Sequence, residues 1–195
     1  MKITEFQSPD LIKVVTLYPN DLEPTKMTKF YHIDEPDHHE GVVYFITVDD
    51  EIVKVGGSQN TIKQLIGQYC LNLEGKADPQ FNRFPIYLMI LDLLCKGHTV
   101  SFYYTRVQPY TIVLPSLING KPNAITTTAF EGFETGYINM VKELNGDYPI
   151  WNSHESGNSF DDKLRKLWLD RKAGLSNDGL HFDYQSYLNR EWNFI

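Results

Sequence analysis

An α+β fold, with a small antiparallel sheet flanked by helices, is predicted by three features of the sequence. Val42–Val48 (VVYFITV) and Ile52–Val55 are β-branched and aromatic runs separated by the acidic turn Asp49-Asp50-Glu51, the pattern of a hairpin. Ile86–Lys96 (IYLMILDLLCK) is apolar nearly all round, as a deeply buried helix must be. Thr128-Ala-Phe-Glu131 fits a capping box, in which a hydroxyl and a carboxylate satisfy each other's backbone amides, and so announces a further helix.

Taken in order, the hairpin is followed by Gly56-Gly57, which is expected to break the second strand. Ser58 or Asn60 then caps a helix over Thr61–Leu71, where Ile62, Leu65, Ile66 and Tyr69 recur at helical spacing. Pro79 and Pro85 bracket the start of the apolar helix, which Gly97 ends. Thr99–Thr105 (TVSFYYT) reads as a third strand. Arg106–Thr127 is rich in Pro, Asn and Gly and reads as an insertion, with one strand-like piece at Tyr110–Leu114. The capped helix runs to Asn145 and stops at Gly146. A last helix over Phe160–Lys172 has Asp161 and Asp162 in its first turn and Arg171 and Lys172 in its last, matching the helix dipole. The resulting order is β-β-α-α-β-α. It divides the chain into an N-terminal extension (1–40), a core (41–152) with its insertion at 106–127, and a helical C-terminal extension (153–195).

The chain has 195 residues, 42% hydrophobic and 22% charged, which excludes a wholly disordered chain, a collagen and a coiled coil. At this length roughly 70% of the unfolded surface can be buried, so no disulfide or metal is needed for stability. Asp92 interrupts the longest apolar run, which falls short of the roughly 18 residues of a membrane span. The N-terminus MKITEFQSPD lacks the apolar region of a secretory signal, and a cytoplasmic protein is expected. Cys70 and Cys95 then read as two buried, reduced thiols. Charge is unevenly spread: the total is −7, but residues 1–52 carry −7, residues 53–130 carry +4 and residues 131–195 carry −4. The basic middle keeps nucleic acid open as a partner despite the acidic total.

Two places stand out chemically. On the capped helix Phe130, Glu134, Tyr137, Val141 and Leu144 fall on one stripe, and Glu134 is its only charged member. A carboxylate on an inward face needs a cation, a metal or a cleft, so Glu134 reads either as half of a structural ion pair or as a functional group. On the hairpin, Lys54 ends a strand just before Gly56-Gly57, with Tyr44 on the neighbouring strand. A nearby ammonium is expected to lower a phenol's pKa from about 10. The plain alternative is a packed tyrosine and a lysine on a strand edge. Asp37-His38-His39-Glu40 is contiguous and polar and reads as a solvated loop rather than a metal site. His154 and Glu155 follow Asn152 closely enough to border a site there. Tyr184, Tyr187, Trp192 and Phe194, with Arg190, read as core packing before base stacking.

In this order the motifs Val42-Val43-Tyr44, Lys54-Val55-Gly56, the helix bearing Glu134 and Pro149-Ile-Trp-Asn152 resemble the GIY-YIG nuclease superfamily. The likeness spans Gly41 to about Asn152. Lysine at position 54, where most members carry tyrosine, and the insertion before the last core helix bring it closest to the restriction endonucleases of that superfamily. The resemblance implies metal-dependent hydrolysis of double-stranded DNA, with a catalytically silent DNA-binding or regulatory module as the alternative. Tyr44 would be the general base, with Lys54 steadying it or the water. Glu134 would hold one divalent ion, Mg²⁺ or another such as Mn²⁺. Asn152 matches the asparagine that supports the site in the family, and a homodimer would cut both strands in the cytoplasm of a bacterial or phage-infected cell. The family's arginine falls at Gln64 here, ten residues after Lys54, and Gly57 and Ser58 stand where a histidine is common. Arg83 is the arginine expected to take over the phosphate contact.

Overall fold

The structure is a computed structural model and describes residues 1–6, 10–20, 27–33, 41–70, 83–107, 110–114, 123–127, 130–152 and 169. The hairpin forms as its sequence dictates. Strand β3 (Val42–Val48) and strand β4 (Glu51–Ser58) pair antiparallel around Asp49 and Asp50, both at positive φ (48° and 68°), the backbone that a two-residue turn between twisted strands requires. The next elements are α1 (Ile62–Tyr69), α2 (Phe84–Cys95) and β5 (Val100–Arg106). A two-stranded ribbon of β6 (Tyr110–Leu114) and β7 (Asn123–Thr127) occupies the insertion, and α3 (Phe130–Asn145) follows. The strand-like piece at 110–114 is thus half of a ribbon whose second strand, rich in Asn and Thr, gave no sequence signal. The capping box at 128–131 and the helix over 160–172 fall on residues outside those described, apart from Phe130, Glu131 and Leu169.

The N-terminal segment is more than an extension. It supplies β1 (Ile12–Pro19) and β2 (Met27–Tyr31), so the expected three-stranded sheet has five strands in the order β2-β1-β5-β3-β4, all antiparallel. β1 pairs with β5 from Ile12↔Tyr104 to Leu17↔Val100, with a bulge between Lys13 and Val15. Among the described residues, then, the α+β class and the order β3-β4-α1-α2-β5-α3 are as expected. Two strands and the ribbon enlarge it.

The sheet is covered on both faces. One face buries Val15, Leu17, Val42, Ile46, Phe102 and Tyr104 beneath α1 and α2. The other buries Val43, Phe45, Val55 and Ile52 beneath Phe6 and the Ile138 and Val141 side of α3. This is why β3, flanked by β4 and β5, is buried at every position rather than alternating. Within α2 every residue from Phe84 to Leu94 is buried, including Asp92, whose carboxylate is paired with Lys96 Nζ one turn on at 2.8 Å. Leu144, by contrast, is exposed, and Ile138 takes its place on the inner side of α3. Cys70 is half-buried and Cys95 exposed, both unbridged, so only the first approaches the buried thiol expected. Burial pushes the Cys70 thiol up to about 12. Among the described residues no helix is long and apolar enough to cross a membrane.

β4 is an edge strand, and its open side is closed at two places. Ile52 N–H donates to Met1 O (2.9 Å), while Trp151 N–H donates to Val53 O (2.8 Å). Asn152 then completes the cover with its side chain. An exposed strand edge invites pairing with other chains, and these contacts remove much of that invitation.

Candidate active site

The site is built where β3, β4, α1, α3 and the start of α2 meet. Tyr44 stands opposite Gly56 in the β3–β4 register, on the face beneath α1 and α2. A Cβ at Gly56 would overlap Cζ and Oη of Tyr44, so only glycine lets the ring lie flat over the strand. The next residue, Gly57, faces the opposite side of the sheet, as successive strand residues do. There an added Cβ would sit 2.6 Å from Glu134 Oε2 and would overlap the Phe130 ring. Gly56-Gly57 therefore does not break β4, which runs on to Ser58, and neither glycine has positive φ. The pair strips the strand of side chains at two successive positions, so that a phenol on one face and a carboxylate on the other approach through it.

Asn152 holds the same stretch from outside. Val55 N–H donates to Asn152 Oδ1 (2.9 Å), and Asn152 Nδ2 donates to Val55 O (2.7 Å), so the buried amide acts as one more strand residue beside the glycines. Lys54 lies opposite Ile46, two positions from the register partner of Tyr44, and is half-buried. Gln64 is exposed in the first turn of α1 and is spent on structure. Thr61 Oγ1 accepts from Gln64 N–H (3.1 Å) and Gln64 Oε1 accepts from Thr61 N–H (3.3 Å), a capping box one residue beyond the expected caps.

Tyr69, which the sequence marked only as a core residue of α1, belongs to the site. Its hydroxyl lies 2.6 Å from the Tyr44 hydroxyl, with the two rings 5.9 Å apart. Tyr69 also takes a hydrogen bond from the Arg83 side chain, which projects from the N-terminal end of α2. A helical spacing of apolar residues conceals such a tyrosine, because packing and hydrogen bonding call for the same position.

The electrostatics differ from expectation. Burial, then Tyr69, then the Glu134 carboxylate hold the Tyr44 phenol well above its ordinary pKa, while the Arg83 guanidinium opposes them. Tyr69 is raised as well, again chiefly by burial, but hydrogen bonds from Tyr44 and Arg83 pull it back. The expected lowering of the Tyr44 pKa by Lys54 is therefore overturned, because desolvation of a phenol enclosed by the core outweighs a cation two register positions away. Tyr44 is a neutral phenol at neutral pH. Tyr44, Tyr69, Arg83 and Glu134 nevertheless lie close enough to act on one another's charge.

As for a metal, no group of three or more His, Cys, Asp or Glu side chains occurs among the described residues. Glu134 is the carboxylate at the glycine gap, and its Oε2 rests against bare backbone. A single carboxylate is compatible with Mg²⁺, which keeps several waters and takes remaining oxygen ligands from a phosphate. Asp37, His38, His39, Glu40, His154 and Glu155 lie outside the described residues, as do the C-terminal aromatic residues.

No family model matches the chain, and no curated protein matches it. Among solved structures, a mutant of bacteriophage T4 EndoII is similar, with a TM-score of 0.51 and 18% identity, covering 72% of this chain and 95% of that one. Restriction endonuclease HPY188I in complex with product DNA aligns at a TM-score of 0.41 and 17% identity, covering 78% and 86%. The likeness to EndoII establishes the fold: an α+β architecture with a five-stranded antiparallel sheet.

Proposed function

We propose that this chain is a metal-dependent endonuclease of the GIY-YIG kind that hydrolyses double-stranded DNA in a restriction-type role. The observation that carries the reading is the approach of Tyr44 and Glu134 to the Gly56-Gly57 gap from separate elements, with Arg83 close enough to act on the Tyr44 charge. Tyr44 and Glu134 are residues the motif order singled out, Arg83 is the one expected to replace the arginine absent at Gln64, and no packing requirement alone calls for a carboxylate and a guanidinium beside a buried phenol. The fold shared with EndoII agrees with it.

In this reading Glu134 holds a single Mg²⁺ or Mn²⁺ ion, which neutralises charge on the scissile phosphate when bound. Tyr44 takes the proton of the attacking water from its phenolate form, after giving up its own proton to solvent, and Lys54 steadies that water. Arg83 supplies the positive charge that Gln64 lacks. Asn152 keeps Val55, and with it the glycine gap, in place. The basic middle of the chain carries the DNA backbone, and a second copy of the chain cuts the other strand.

Incubation of the full chain with mixed plasmid DNA and Mg²⁺ tests the reading. Metal-dependent nicking or linearisation that Tyr44→Phe removes is the expected result. Salt-sensitive DNA binding without cleavage would overturn it and select the catalytically silent module instead.

A further inference from the structure

A buried phenol serves as a base only once its proton has left to solvent and its oxygen is aimed at the water, and the structure contains the means of aiming it. On the endonuclease reading, we propose that Tyr69 is a positioning residue. Held by Arg83, it fixes the hydroxyl of Tyr44, so that the two phenols and the guanidinium act as one hydrogen-bonded unit.

Donor counting supports this. A guanidinium only donates, so Tyr69 Oη must accept from Arg83. The 2.6 Å contact to Tyr44 Oη then uses one hydroxyl proton between the two phenols, and it lies at the short end of protein O–H···O bonds. Packing fixes both ends of the pair. Tyr69 is buried against Phe102, with ring centroids 5.9 Å apart, and Tyr44 is clamped over Gly56. Arg83 sits at the N-terminal end of α2, directly before the fully buried Phe84, and so is anchored by a helix whose residues from Phe84 to Leu94 are all buried. The charged and titratable groups around the pair come from each neighbouring element: Lys54 on β4, Arg83 before α2 and Glu134 on α3.

The test is Tyr69→Phe, which keeps the ring and removes only the hydroxyl. Plasmid cleavage should lose kcat by about the 100-fold that small misplacements cost, while KM for DNA stays near wild type. Proton NMR of the wild-type chain should show a slowly exchanging, downfield hydroxyl resonance that both Tyr69→Phe and Tyr44→Phe abolish. Combining Tyr69→Phe with Arg83→Gln should cost little more than Arg83→Gln alone, because residues acting through one another are not additive. A Tyr69→Phe enzyme with wild-type kcat, a change confined to KM, or fully additive losses would overturn the assignment. The hydroxyl resonance does not depend on cleavage. Its presence in a chain that cuts no DNA would retire the endonuclease reading and leave the phenol pair standing, whereas its absence would retire the pair.

Discussion

Glu134 Oε2 occupies space that a side chain on Gly57 would claim, 2.6 Å from the position its Cβ would take. The relationship couples a strand and a helix that lie far apart in sequence, and it explains a glycine that no turn requires. Replacing Gly57 by alanine should push Glu134 and Phe130 off the strand. We expect a loss of about 1–3 kcal/mol from overpacking, read by urea denaturation, together with loss of metal-dependent cleavage. A Gly57→Ala chain with wild-type stability would mean that α3 gives way without cost.

If Glu134 holds the divalent ion, Glu134→Gln should abolish it, since an amide of the same size carries no charge to offset the cation. Mn²⁺ binding by calorimetry should vanish and cleavage should fall to background, while the thermal midpoint stays close to wild type. Retained Mn²⁺ binding would place the metal elsewhere.

Asn152→Ala removes both partners of the Val55 backbone at once. Leaving buried backbone groups unpaired costs about 1–3 kcal/mol apiece, so the chain should be destabilised well beyond an ordinary surface change. Hydrogen exchange at the Val55 amide should speed up more than at Phe45, which sits across the register. Equal effects at both amides would show that the asparagine supports the fold generally and not this edge.

Asp49 ties the hairpin turn to the segment before β5. Its carboxylate meets His98 Nδ1 at 2.6 Å and accepts from Thr99 N–H at 2.8 Å. These bonds, the one to His98 first, hold the carboxyl below the usual aspartate pKa. A group lowered on folding contributes stability above its unfolded pKa, about 3.9, and loses it as pH falls through the folded value. Both side chains are well exposed, so the contribution is below about 1 kcal/mol after solvent screening. Asp49→Asn should therefore flatten the acid limb of stability against pH below about pH 4, measured by thermal melts. An unchanged acid limb would remove Asp49 from the account.

Local patterns determined much of this protein. The hairpin of β3 and β4, the buried α2, the end of α3 at Asn145 and the inward Glu134 were all legible, because each rests on side-chain periodicity or a cap within one segment. Gly56-Gly57 was legible as a signal but not in its meaning. A glycine that clears space for a distant side chain looks the same in sequence as one that turns the chain, and only the register with Tyr44 and the approach of Glu134 distinguish them. β1, and β2 which pairs with it, escaped for a related reason: the pairing of β1 with β5 spans about ninety residues of sequence, and a strand's partner leaves no mark on its own pattern. The work of Gln64 in capping α1 appeared only with the helix boundary. What tertiary structure alone decided was the chemistry of Tyr44. Burial, Tyr69 and Glu134 set its proton against the expected pull of Lys54, because desolvation depends on everything that packs around a group, and sequence spacing carries no record of that.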